Sequence, residues 1–322
     1  MKTKVIVTGA SGILGSVVYN AFKRDSAFYV LGLAHSRSNN ELVKLDLKDE
    51  ASVERTFAEF EPGWVIHCAA ERRPDVAEKN PEETQKLNAS VPDYLATLAH
   101  PNKLNFKLVY ISTDYVFDGT SPPYAPSAQP NPVNLYGRTK RDGESAVLRG
   151  VGEGCEGVVL RVPVLYGPAP KNSDTAINIL LDVVQDQSGK QYKMDHYATR
   201  YPTNVLDIAN FLTRLTGLHK PLPPILHFSA PEPFTKYEIC LIFSKILSLP
   251  HGHIIPDAEA PTGAAAASRP RDCRLDTTET EALLGKPGSL QCVIFEEWWR
   301  EYLGRPEGEE SEGTSKGEAP KA

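Results

Sequence analysis

Three residues of this chain have the types and order needed to deliver a proton to a carbonyl. The apolar run that starts at Lys107 ends in Ser112-Thr113, and a Pro-rich stretch leads on to Tyr136 and Lys140. Tyr136 and Lys140 are four apart, so a helix puts them on one face. The Lys140 ammonium can lower the phenol's pKa by its charge. Tyr136 can then donate a proton to a carbonyl oxygen while hydride reaches the carbon. Thr113 can hydrogen-bond the same oxygen; strand alternation lets one of Ser112 and Thr113 face it, and Thr113 is favoured. The chain has 13 tyrosines, so a Tyr-x-x-x-Lys pair alone is a weak signal. Its weight comes from its place between the strand ending Ser112-Thr113 and the strand carrying Arg161. The competing reading is an amphipathic helix with a snorkelling lysine.

Hydride needs a donor, and the N-terminus offers a place for one. Thr8-Gly9-Ala10-Ser11-Gly12-Ile13-Leu14-Gly15 lies between an apolar strand and a helix. Glycines there allow a tight turn and close approach to a pyrophosphate, and the helix start supplies free N–H groups. The alternative is a merely structural glycine turn. The second strand ends Leu33-Ala34-His35-Ser36-Arg37, without the acid that usually holds an NAD ribose. Arg37 suits a 2′-phosphate, which favours NADP; the alternative is a solvated loop arginine. Asp46-Leu47 can receive the adenine amine, or Asp46 can cap the next helix. Cys68, at the end of a buried strand, reads as backbone lining and not as a nucleophile. Arg72 meets cofactor phosphate or substrate, or makes a surface ion pair.

The elements that must position these residues alternate over positions 1–167. Strands are expected at Val5–Thr8, Phe28–Leu33, Trp64–Ala70, Leu108–Ser112 and Gly157–Leu165. Helices are expected at Leu14–Lys23, Ala51–Phe60, Pro81–Ala99 (with an irregularity at Pro92) and Tyr136–Leu148. This is an α/β chain with a Rossmann-type doubly wound parallel sheet. Residues 168–303 are expected to form mostly a smaller C-terminal, substrate-side lobe: helices at Ala176–Gln185, Leu206–Leu215 and Thr235–Leu247, and a strand at Ile225–Ser229. Segments around 200–230 complete the sheet domain. Residues 256–268 read as loop. Positions 304–322 have no large apolar residue and read as a disordered acidic tail. Trp298-Trp299 suggests a terminal helix packed on the lobe or a partner contact. His251-Gly252-His253 has no third ligand nearby, so a loop is favoured over a metal site.

Composition excludes several classes. The 322 residues are 41% hydrophobic and 24% charged, with a net charge of −6, which argues against nucleic acid or an anionic membrane as partner. No run approaches a membrane span, and the N-terminus leaves no room for a signal peptide. Five scattered cysteines without CxxC suit a reducing compartment, the cytoplasm.

TGASGILG, YISTDYVFDG, LYGRTK, LRVPVLYG and RPRDCRLD together resemble the rhamnose-reductase branch of the extended short-chain dehydrogenases, over roughly residues 3–300. That branch holds bacterial dTDP-4-dehydrorhamnose reductases and the regulatory beta subunits of methionine adenosyltransferase. His67 to Val76, and Met194-Asp195-His196 with Arg200-Tyr201-Pro202-Thr203, resemble the beta-subunit group. The resemblance implies NADP binding and, as partner, the catalytic alpha subunit that makes S-adenosylmethionine. It also implies cofactor contacts at Ser11, Gly12, Ile13, Leu14, His35, Ser36, Arg37, Asp46, Leu47, Cys68, Arg72, Tyr136 and the Leu160-Arg161 region. The family's position for His35 is usually aromatic, its position for Ser36 usually basic, and its tail apolar and basic where this one is acidic.

Overall fold

The β-branched runs near the N-terminus form strands and the amphipathic stretches between them wrap both faces. The computed structural model describes residues 2–35, 41–261 and 269–304. In chain order the first elements are β1 (Thr3–Thr8), α1 (Ile13–Arg24), β2 (Phe28–Ala34), β3 (Val43–Lys44), α2 (Glu50–Phe60) and β4 (Trp64–His67). Then come α3 (Pro74–Lys79), α4 (Pro81–Gln85), α5 (Val91–Ala99), β5 (Lys107–Thr113), α6 (Leu135–Gly152) and β6 (Gly157–Val162). Next are β7 (Leu165–Tyr166), α7 (Ile179–Gln185), β8 (Tyr192–Asp195), β9 (Thr203–Asn204), α8 (Val205–Thr216) and β10 (Ile225–His227). The chain closes with α9 (Lys236–Leu247), β11 (Ile254–Asp257), α10 (Thr278–Leu284) and α11 (Phe295–Gly304).

Seven strands form one sheet in the order β10-β6-β5-β4-β1-β2-β3. Each neighbouring pair is parallel, as the helical crossovers require. The sheet is Rossmann-like, and its strand order reverses between β1 and β4. One face is packed by α1 and α8 through residues such as Val18, Phe22, Phe211 and Leu212. The other is packed by α2, α5 and α6 through Val53, Phe57, Leu95 and Val147. A separate apolar cluster joins β7, α7, α9 and α11 around Tyr166, Leu180, Phe243 and Trp299. Trp299 is fully buried there, stacked on Tyr166 and edge-on to Phe243.

Several boundaries differ from those the sequence suggests. The strand from Trp64 stops at His67. The strand from Gly157 stops at Val162 because Pro163 has no N–H to continue the ladder; Leu165–Tyr166 pairs instead with Thr203-Asn204. The single helix expected over 81–99 is interrupted by a π-turn at Lys86–Ser90, where the Val91 N–H reaches back to the Lys86 carbonyl. Pro92 cannot donate to the Asn88 carbonyl four residues earlier, and the buried Tyr110 hydroxyl does so at 3.0 Å. The irregularity thus lies just ahead of Pro92. Residues 256 and 257 belong to β11, while 262–268 and the tail from 305 lie outside the described residues.

Candidate functional site

A cavity of about 610 Å³ opens at the carboxyl ends of the strands, where β1 and β4 part. Ligands of open parallel sheets bind at this reversal point. Gly9 turns the chain with φ +65°, and a Cβ on it would lie 2.8 Å from the Ala69 nitrogen. A Cβ on Gly15 would lie 2.1 Å from the Gly9 carbonyl oxygen. The first turn of α1 therefore presses against the loop. Its N-cap, Gly12, has no side-chain cap, and no acid stands in the first turn. The leading N–H groups and the positive dipole end are left for an anion. This cradle fits a dinucleotide pyrophosphate.

Most of the residues read from the sequence meet on this wall. Gly9, Ser11, Gly12, Ile13, Leu14, Gly15, His35, Asp46, Leu47, Cys68, Arg72, Thr113, Tyr136 and Lys140 all line the cavity. Ser36 and Arg37 lie outside the described residues. Asp46 is not a helix cap: its carboxylate accepts from the Lys48 N–H, and Asp49 caps α2. The surface ion pair considered for Arg72 is made by its neighbour, Arg73 with Glu71 at 2.9 Å. Burial pushes the Cys68 thiol up to about 12, which leaves it without nucleophilic character.

Leu160 and Arg161 are not on the wall; the adjoining segment from Val162 to Leu165 is. Leu160 is in the apolar core. Arg161 is 1% exposed, and its Nε and Nη2 donate to Glu144 at 2.9 and 2.7 Å. Its Nη1 donates to the Pro126 carbonyl at 3.1 Å and faces His227 Nε2 at 3.4 Å. Ser112 donates to the same Glu144 carboxylate at 2.5 Å, so its hydroxyl is turned away from Thr113's.

Thr113 ends β5, and its hydroxyl donates to Asp114 at 3.1 Å and accepts from the Tyr115 N–H at 3.2 Å. Tyr136 and Lys140 stand one turn apart on α6, whose N-cap Asn134 accepts from the Gly137 N–H. Lys140 is 2% exposed; its Nζ donates to the Ile111 carbonyl at 2.8 Å and lies 3.9 Å from the centre of the Tyr110 ring. Burial holds its pKa down to about 7, against the opposing charge of Glu144. Burial also pushes the Tyr136 phenol well above its usual value, with Thr113 acting in the opposite direction. The phenol's own burial is the largest effect, so Tyr136 is a protonated donor at neutral pH.

The loop that carries Arg72 is fixed by the side chain of Asn88. Its Oδ1 accepts from the Glu71 N–H at 2.9 Å, and its Nδ2 donates to the Glu71 carbonyl at 2.9 Å and to Thr139 at 3.1 Å. Asn88 thus joins the loop after β4 to the helix bearing Tyr136 and Lys140. Its place in the π-turn aims it inward; the sequence gives only Pro92 as a hint.

Sequence reasoning did not single out Asp114, Arg200, Lys236 or Thr175 as wall residues, yet all four line the cavity. Asp114 follows Thr113 directly, and Arg200 stands in the Arg-Tyr-Pro-Thr segment. Lys236 carries no signal beyond the capping box of Thr235 and Glu238 that starts α9. The two loop histidines are engaged elsewhere, His251 with Ser244 and His253 with the Val183 carbonyl. Among the described residues no group of three or more metal-binding side chains converges, and no helix is long and apolar enough to cross a membrane.

An open parallel sheet with a glycine cradle and a Thr-Tyr-Lys set on the cavity wall defines an extended short-chain dehydrogenase architecture. The chain belongs to the RmlD substrate binding domain family, whose model matches residues 3–292. It is 42% identical over 300 residues to the methionine adenosyltransferase 2 subunit beta of Xenopus laevis, covering 92% of this chain and 87% of that protein. It is 32% identical over 273 residues to a probable dTDP-4,6-dihydroxy-2-methyloxan-3-one 4-ketoreductase of Streptomyces antibioticus, covering 82% of each. The dTDP-4-dehydrorhamnose reductase of Bacillus anthracis, solved in complex with NADP, superposes with a TM-score of 0.77 at 25% identity, covering 94% of this chain and 99% of that one.

Proposed function

We propose that this chain is an NADP-binding regulatory beta subunit of methionine adenosyltransferase, which supports cytoplasmic S-adenosylmethionine synthesis by binding the catalytic alpha subunit. The observation that carries the partner is the 42% identity, sustained over 92% of the chain, to a protein of that name. The cofactor reading rests on the cradle around Gly9 and Gly15, and the preference for NADP on Arg37 and the absence of an acid after β2. Ser11 to Leu14 would hold the pyrophosphate side, Asp46 and Leu47 the adenine side, and Lys140 the nicotinamide ribose. Mixing the full chain with a methionine adenosyltransferase catalytic subunit tests the reading. Size-exclusion chromatography with and without NADP is expected to show co-elution. Separate elution at micromolar concentrations in both conditions would remove the regulatory reading.

A second reading is favoured by Thr113, Tyr136 and Lys140 standing together on the cavity wall. In that reading the chain is an NADPH-dependent reductase of a sugar nucleotide. The bound cofactor would supply hydride; Thr113 and the protonated Tyr136 would hold the carbonyl oxygen, and Tyr136 would donate its proton to it. NADPH oxidation with a dTDP-4-keto sugar, measured for the parent and for Tyr136→Phe, separates the two. Turnover by the parent that vanishes in Tyr136→Phe with cofactor binding intact establishes the reductase; negligible turnover by the parent supports the regulatory subunit.

A further inference from the structure

Lys140 is a cation withdrawn from water whose neighbouring carboxylate serves another group. Among the described residues, the carboxylate whose charge acts on it is Glu144, one turn further along α6. Both oxygens of Glu144 are engaged. Oε1 accepts from Ser112 and from Arg161 Nε, and Oε2 accepts from Arg161 Nη2. Arg161 is itself buried. Two positive charges and one negative charge are therefore enclosed together whenever Lys140 is protonated. The other groups facing the ammonium are uncharged at neutral pH. On β5 they are the Tyr110 ring and the Ile111 carbonyl. At the end of β4 they are His67, which burial and the Lys140 charge hold down to about 3, and the Cys68 thiol, which burial pushes up to about 12. One turn earlier on α6 stands the protonated Tyr136 phenol.

A buried ammonium with a surplus of positive charge around it is held near the margin of ionisation, and burial brings the Lys140 pKa down to about 7. Its proton is then sensitive to what binds. A ligand that brings acceptors and negative charge draws the proton on, and one that brings positive charge opposes it. The cofactor reading above places the nicotinamide ribose at Lys140, and the nicotinamide ring is bonded to that ribose. Oxidised nicotinamide is a pyridinium cation, whereas the reduced ring is neutral. Phosphates, riboses and adenine are the same in both. The two forms of the cofactor therefore differ by one positive charge on the side that Lys140 faces.

We infer, resting on that cofactor reading, that Lys140 makes the cleft selective for the reduced dinucleotide, taking up a proton at Nζ when NADPH binds and far less of one when oxidised NADP binds. Linkage fixes the sign. A ligand that raises the pKa of a group binds best below the raised value and loses affinity as pH rises from the free value through the bound one. The cleft thus responds to the reduction state of the cofactor and to pH together, whether the chain transfers hydride or only binds.

Calorimetry of the full chain with NADPH and with oxidised NADP, in buffers of different ionisation enthalpy, counts the protons taken up. At pH 8 the 2′-phosphate, with a second pKa of about 6, is already ionised and contributes little. NADPH should draw in at least about 0.4 proton per site, and oxidised NADP less than about half of that. Between pH 7.5 and 9, NADPH affinity should fall at least about five-fold and that of oxidised NADP by less than about two-fold. Other groups on the cavity wall titrate in reach of this range. Burial pushes Asp114 up to about 7 and holds Lys236 down to about 8, and His35 stands 3.7 Å from Asp46. Lys140→Met, which keeps the apolar stem and removes the charge, separates them: uptake and the difference in pH dependence should both disappear. Uptake that persists in Lys140→Met overturns the inference. So does equal uptake for the two cofactors, or none, in the parent, and that result needs no variant to fold. Absence of binding by either cofactor would overturn the cofactor reading and this inference with it; binding without differential uptake overturns the inference alone.

Discussion

Replacing Glu144 by Ala should be among the most damaging single changes outside the apolar core. Glu144 is 2% exposed and Arg161 1% exposed. The carboxylate accepts two hydrogen bonds from Arg161 and one from Ser112, at 2.9, 2.7 and 2.5 Å. Removing it leaves a guanidinium in the interior with the Pro126 carbonyl and His227 as its remaining polar neighbours. Breaking one side of a buried pair costs about 3–5 kcal/mol, a large share of the roughly 5–15 kcal/mol that holds a domain folded. At about 2 °C per kcal/mol for a chain of this size, the midpoint should fall by roughly 6–10 °C. Arg161→Met alone should cost a similar amount by stranding the carboxylate. The double variant Glu144→Ala with Arg161→Met should recover most of the loss, because two buried charges then vanish together. Thermal melts of the four proteins form a double-mutant cycle. A single-variant loss below about 1 kcal/mol, or a double variant that loses the sum of both singles, would refute the claim that the pair is desolvated and mutually dependent.

Three other outcomes are expected. Calorimetry should show tighter NADP than NAD binding, with Arg37→Ala costing NADP about 1.5–3 kcal/mol; equal affinities in the parent would end that reading. Trp299→Ala should cost about 3–5 kcal/mol and weaken any complex with the catalytic subunit, whereas truncation after Gly304 should leave melting and co-elution unchanged; loss of co-elution on truncation alone would place the contact in the tail. Burial pushes Asp207 up to about 6, so the folded state binds more protons than the unfolded one between about pH 4 and 6, and stability falls as pH rises through that window. Asp207→Asn should therefore be more stable than the parent by on the order of 2 kcal/mol at pH 7.5, with the difference vanishing below about pH 4; a difference independent of pH would refute it.

Short-range signals carried much of the sheet. Apolar β-branched runs mark β1, β4, β5 and β6 because a parallel sheet buried on both faces leaves them no polar side. The glycine turn was legible because Gly9 and Gly15 meet backbone that a Cβ would strike. The Tyr136–Lys140 spacing was legible because helical period fixes it. Arg161 shows where such reading ends. In sequence it is a cation next to a site segment, and only the fold brings Glu144, 17 residues earlier, against it. Lys140 shows another limit: spacing gives its face, but its burial against Tyr110 and the Ile111 carbonyl, on another element, cannot be read from spacing. Lys236 comes to the cavity by the packing of α9, and no local pattern announces that.

Asn88 has a mechanical consequence. Because one amide holds both the Glu71 backbone and Thr139, the floor of the cavity and the wall bearing Tyr136 and Lys140 are riveted into a single plate. A guest molecule cannot widen the cleft by prising these two apart without shearing three hydrogen bonds. A dinucleotide seated in this cleft would thus rest on a fixed anvil.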